Sequence, residues 1–170
     1  MDNRKDLSLG RALMKRSNAS AKRRGFTLIE MLIVVAIILI IAAVAIPRLE
    51  KARMQTMESA AIQQIRTLQT AEVQYFSQFG KFATKLEELG PPTSGQPGPA
   101  AADLIPGDLA KGHKTGYTFS IQGNGGNFII TAVPDVYNST GRRTFYSDPS
   151  NIIRENWGSE PATVNSPEIK

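Results

Sequence analysis

The sequence predicts an α+β protein: a long N-terminal α-helix, transmembrane and then amphipathic, packed against a small antiparallel β-sheet. Three observations carry this expectation. From Phe26 to Ile46, 21 positions hold only two polar residues, Thr27 and Glu30. From Met54 to Phe79 apolar residues recur at three- and four-residue steps. After Gly116 the period changes to two. A helix rising about 1.5 Å per residue crosses the hydrocarbon of a bilayer in about 20 residues, and periods of 3.6 and 2 separate helix from strand.

Charge is distributed unevenly. The chain has 170 residues and a formal net charge of +5. Eight of the 20 Lys/Arg lie in residues 1–25, against two of the 15 Asp/Glu. The other twelve basic and thirteen acidic residues leave −1, so the basic character belongs to the front end and nothing beyond it favours nucleic acid. A basic segment before an apolar span places the N-terminus in the cytoplasm and the remainder across the membrane. There is no cysteine, which excludes disulfides, a cysteine-linked lipid and thiolate metal sites. One histidine, His113, excludes a multi-histidine centre within one chain.

The apolar segment admits three readings. One is a cleaved secretory signal, with Ala43-Val44-Ala45 as the small-x-small site; it would release a secreted binding domain. A second is an uncleaved signal anchor. The third is a leader cut before the apolar run. Glu30 separates them, because a carboxylate in a span is expensive without a partner. A cut after Gly25 frees an α-amine on Phe26, four residues before Glu30, and residues i and i+4 are neighbours on a helix.

Lys22-Arg23-Arg24-Gly25-Phe26-Thr27-Leu28-Ile29-Glu30, followed by the apolar run, resembles the processing site of type IV pilins and of the pseudopilins of type II secretion. The resemblance implies cleavage by a prepilin peptidase between Gly25 and Phe26, N-methylation of Phe26, and an assembly role for Glu30. It also implies a helix-kinking role for Pro47. The expected partners are further copies of the chain in a helical filament, the prepilin peptidase, an inner-membrane assembly platform and the lipid bilayer. Nucleic acid and cofactors are not expected. The product would be a pilus subunit; a type II secretion pseudopilin or a minor pilin is the alternative. Location follows: single-pass in the inner membrane, then an extracellular pilus or a periplasmic pseudopilus.

The expected order is a leader over 1–25, a membrane and filament-core helix over 26–46, and its amphipathic continuation over 47–80. A connection over 81–115, a sheet over 116–156 and a tail over 157–170 follow. Pro47 lacks an N–H and is expected to kink or locally open the helix. Met54, Met57, Ala61, Ile65, Leu68, Ala71, Tyr75 and Phe79 form the apolar stripe, with Gln63, Gln64, Arg66, Gln69 and Gln74 on other faces. Gly80 ends the helix. Residues 82–89 suit a short helix, and Gly90 to Ala101 a Pro/Gly-rich surface loop. Gly116–Gln122 and Asn127–Val133 read as a hairpin across Gly123-Asn124-Gly125-Gly126, with further strands at Arg142–Ser147 and Ile152–Arg154. The tail from Trp157, rich in Ser, Pro and Glu, is expected to be loosely held.

No stretch supports an enzyme. The Gly123–Gly126 run lacks P-loop spacing and a following helix, so it reads as a turn. His113 reads as a solvated loop residue. Asp103, Asp108, Asp135 and Asp148 lack calcium-loop spacing, so no metal site is assigned. Asn138-Ser139-Thr140 matches a glycosylation sequon but reads as a polar turn. Tyr75, Phe76, Phe79 and Phe82 read as anchors beneath the sheet rather than as a conducting path.

Overall fold

The computed structural model describes residues 25–169. The expected leader up to Arg24, with its basic cluster, lies outside the described residues. The chain divides between Ile40 and Ile41 into two compact units. Helix α1, Leu28–Phe79, begins in the first and continues in the second.

In the first unit the helix is apolar on every side. Leu28, Ile29, Met31, Leu32, Ile33, Val34, Val35, Ile37, Ile38, Leu39 and Ile40 are all at least half exposed. By length and composition α1 is able to cross a membrane, and none of its most apolar window is buried.

In the second unit α1 runs through Pro47 without a break in helical assignment. The apolar stripe then buries Met54, Ala61, Ile65, Leu68, Ala71 and Tyr75. The helix ends at Phe79; the Gly80 N–H reaches the Phe76 carbonyl at 2.8 Å, and Gly80 takes φ 70°, a left-handed conformation that glycine adopts without strain. Helix α2, Leu86–Leu89, and helix α3, Gly107–Ala110, follow. Five antiparallel strands come next: β1 His113–Lys114, β2 Tyr117–Gly123, β3 Phe128–Pro134, β4 Arg143–Ser147 and β5 Ile153–Trp157. They pair in chain order, so the sheet is a meander.

The expected α+β architecture is therefore present. In β2 and β3 alternate residues turn inward: Tyr117, Phe119 and Ile121 on one strand, Phe128, Ile130 and Ala132 on the other. These join Ile65, Leu68 and Tyr75 of α1, with Leu89, Leu109 and Phe145, in one core. The hairpin turn is closed by Asn124, whose Oδ1 accepts from the Gly126 and Asn127 amides at 3.1 and 3.0 Å.

Three expectations need correction. The tail is not loose. It folds back along β5: the Glu155 N–H donates to the Pro167 carbonyl at 2.8 Å and the Ile169 N–H to the Ile153 carbonyl at 3.0 Å, while Ala162 is buried. Backbone pairing of this kind needs no apolar side chains, so composition does not announce it. The short helix near 82–89 forms only at Leu86–Leu89. Gln69 lies on the buried side, its Nε2 donating to Ser147 Oγ at 2.7 Å.

The α1 stripe also contains two carboxylates. Met54, Glu58, Ala61, Ile65, Leu68, Glu72, Tyr75 and Phe79 follow alternating steps of four and three, so Glu58 and Glu72 occupy positions otherwise given to the core. Both are buried. Glu58 binds the start of β4, accepting from the Arg142 N–H through Oε1 and from Arg143 Nε through Oε2, each at 2.8 Å. The Arg143 guanidinium also donates from Nη1 to Glu155 Oε2 at 2.8 Å. It lies 5.5 Å from the Phe145 ring centroid and 5.3 Å from that of Trp157. One Arg thus joins α1, β4 and β5.

Two outcomes follow from this packing. Arg143→Leu leaves Glu58 buried beside a single N–H donor and should lower unfolding free energy by about 3–5 kcal/mol, read by denaturant titration of the full chain in detergent. Gly141→Ala would drive a methyl into the Tyr117 hydroxyl, which is pinned to the Arg143 carbonyl at 2.9 Å. It should cost about 1–3 kcal/mol, and pairing it with Tyr117→Phe should recover part of that loss.

Candidate functional site

The start of α1 is built by Thr27. Its hydroxyl accepts from the Glu30 N–H at 3.2 Å, and Glu30 Oε2 accepts from the Thr27 N–H and from the Thr27 hydroxyl, both at 3.0 Å. The Thr27 carbonyl accepts from the Met31 N–H at 3.3 Å. This is a reciprocal capping box. The first amides of a helix have no partner within it, and here two side chains three residues apart supply acceptors to each other's backbone. A carboxylate in the first turn also faces the positive end of the helix dipole.

Glu30 thus has a local partner in the uncut chain. The expectation that Glu30 lacks a partner before cleavage is corrected: Thr27 supplies two hydrogen bonds. The signal was present: Thr27-Leu28-Ile29-Glu30 before an apolar run has the spacing of a capping box. Both bonds end on Oε2; among the described residues Oε1 accepts none. One oxygen of an exposed carboxylate therefore points away from the bonds that cap the helix.

Phe26 is 78% exposed, just ahead of this cap. Gly25 lies in open space; a Cβ there would meet nothing within 4 Å among the described residues. Packing among the described residues gives no reason for a glycine at this position. Pro47 is exposed within α1, and four exposed charges, Arg48, Glu50, Lys51 and Arg53, follow it.

The remaining singled-out residues are dispersed. His113 stands in β1, exposed, with Nδ1 3.1 Å from Thr118 Oγ1 and 3.6 Å from Asp135 Oδ1. Asp108 is held by the Leu109 N–H at 2.8 Å and by Lys114 Nζ at 3.2 Å. Its carboxyl sits below the usual range, first because of the Leu109 amide and then because of Lys114. Asn138 is exposed with φ 66° in a turn where the Thr140 hydroxyl accepts from the Val136 N–H. Of the aromatic group, Tyr75 is fully buried and Phe82 packs edge-on against Phe128 at 4.9 Å. Phe76 is 44% exposed, so it is not an anchor beneath the sheet; it lies on the outer face of α1 against Phe82.

Comparison with known proteins bears on the first of these sites. A family model described as the prokaryotic N-terminal methylation motif matches residues 20–46. The chain is similar to the type IV major pilin protein PilA of Myxococcus xanthus, 40% identical over 77 residues, which is 45% of this chain and 35% of that protein. It is similar to a fimbrial protein of Pseudomonas aeruginosa, 47% identical over 49 residues, which is 29% of this chain and 32% of the relative. The chain thus spans about a third of the length of the curated relatives it matches. No solved structure matches it significantly. The chain thus carries a prokaryotic N-terminal methylation motif and is similar to type IV pilins over part of its length, and it has a long N-terminal helix followed by a small antiparallel sheet.

Proposed function

We propose that this protein is the structural subunit of a type IV pilus-like filament. It is made as a membrane-anchored prepilin, cut after Gly25 by a prepilin peptidase and N-methylated at Phe26. Residues 26–46 hold it in the inner membrane until an assembly platform transfers it into the filament. The observation that carries this reading is an apolar helix surface that no other part of the described chain covers, headed by an exposed Glu30. Lipid covers such a surface first; the same segments of neighbouring copies cover it afterwards. The exposed position of Gly25 suits a site that must enter a peptidase. The curated relatives are named for a major pilin and for fimbrial proteins, which favours a surface filament over a secretion pseudopilus.

In the filament Glu30 has two tasks. Oε2 continues to cap its own helix through Thr27. Oε1 faces the Phe26 amine of a neighbouring copy, neutralising both charges and setting the axial register. A buried pair of this kind supplies register more than net stability. Each contact joins unlike surfaces of two copies, so growth is open-ended.

Glu30→Val or Glu30→Ala should leave the protein in the membrane but block or slow assembly, read as pilin in sheared surface material from cells making only the variant. Glu30→Gln keeps an oxygen for Thr27 and removes the charge, and should also assemble slowly. Normal filaments from Glu30→Gln, with failure of Glu30→Val, would assign Glu30 to capping alone. Normal filaments from all three would remove Glu30 from assembly.

A further inference from the structure

Glu72 is the one buried side-chain group among the described residues that has a polar atom without a partner. It is fully buried on the core side of α1. Its Oε2 accepts from the Ala83 N–H at 2.9 Å, while its Oε1 has no hydrogen-bond partner. An orphaned oxygen in a low-dielectric core is costly when charged and tolerable when it carries a proton.

The surroundings sharpen this. A second carboxylate, the half-buried Glu88 of α2, acts on Glu72; it accepts from the Thr84 N–H at 3.0 Å, the Thr84 hydroxyl at 2.7 Å and the Tyr75 hydroxyl at 3.3 Å. Tyr75, one turn along α1, donates its hydroxyl hydrogen chiefly to the Pro99 carbonyl at 2.6 Å. Lys81 and Lys85 of the connection are exposed, and neither forms an ion pair with Glu72 among the described residues. The turn from Gly123 to Asn127, against which Ala83 packs, carries no titratable side chain. Glu72 therefore meets a like charge and no compensating cation.

Two side chains of α1 fasten the connection that follows it: Glu72 at Ala83 and Tyr75 at Pro99. We propose that Glu72 is a proton-operated latch, which holds the connection over 80–101 against α1 when protonated and loosens it when ionised. With the proton on Oε1, Oε2 still accepts from the Ala83 amide and no net charge is buried. Without it, the carboxylate gains by moving toward water, and leaving its site breaks the Ala83 bond.

Burial pushes the Glu72 carboxyl well above the ordinary glutamate range, up to about 7; the Ala83 amide opposes the rise and Glu88 adds to it. A folded value above the unfolded one means that the contribution is fully present below the unfolded value and is lost as pH rises through the folded value. The latch is thus closed in acid and opens across neutrality. The connection it fastens runs on into the largely exposed Pro/Gly-rich loop from Pro91 to Ala100, so the surface presented by the subunit would depend on pH.

Amide exchange of the full chain in detergent micelles, read at Ala83, tests this directly. Protection, expressed relative to the unstructured rate at each pH, should fall at least about tenfold between about pH 5 and about pH 8.5. In Glu72→Gln, which cannot ionise, it should stay flat. An equal fall in Glu72→Gln, or none in the native chain, overturns the latch. Should the Gln variant not fold, infrared difference spectra of the native chain with isotope-labelled Glu read the carboxyl itself. A buried carboxyl titrating with a midpoint about 7 upholds the proposal; none above the ordinary Glu range overturns it.

Discussion

One helix must satisfy two surroundings, and the rest of the molecule is arranged around that constraint. Up to Ile46, α1 presents apolar side chains on all sides and the described chain covers none of them. From Met54 onward only a stripe is apolar, and the stripe is covered by the sheet and by the short helices. Apolar area removed from water is worth about 25 cal/mol per Å², so the first segment cannot rest in water. By length and composition it is able to cross a membrane, and in the proposed filament copies of itself cover it. The second segment needs a domain, and a five-stranded meander supplies it with short local connections.

Polar groups on the buried side of α1 then fix how that domain sits on the second segment. Apolar packing alone tolerates small slips. Glu58 reads the start of β4 through one amide and one guanidinium, Gln69 meets the end of β4 at Ser147, and Glu72 and Tyr75 hold the connection that leaves the helix. Each bond is lost if the helix turns or slides by one residue. Glu58 and Glu72 differ in what balances them. Glu58 is paired with the Arg143 guanidinium at 2.8 Å. Glu72 has only an amide, which leaves its charge state free to respond to pH.

The large features were legible because each has a period. The apolar run, the stripe from Met54 to Phe79 and the alternation in β2 and β3 are all repeats, and repeats are visible without coordinates. The capping box was legible too, since Thr27 and Glu30 stand three apart before an apolar run. Glu58 and Glu72 were hidden by their chemistry: they occupy core positions in the stripe, yet charged residues are assigned outward by habit. The tail was hidden for another reason. It is held by backbone bonds from Glu155 and to Ile153, and a Ser/Pro/Glu composition says nothing about backbone pairing. Strand β1, two residues long, has no periodicity to detect.

In the proposed processing the apolar segment is retained and becomes the beginning of the mature protein. Mass spectrometry of the mature N-terminus, on protein from membranes and from sheared surface material, tests it most directly. The account requires a chain beginning at N-methylated Phe26 in both fractions, with residues 26–46 intact. A chain beginning at Ile46, after Ala45, would contradict it: the apolar segment would then be a discarded signal, and neither the capped Glu30 nor the filament would have a place.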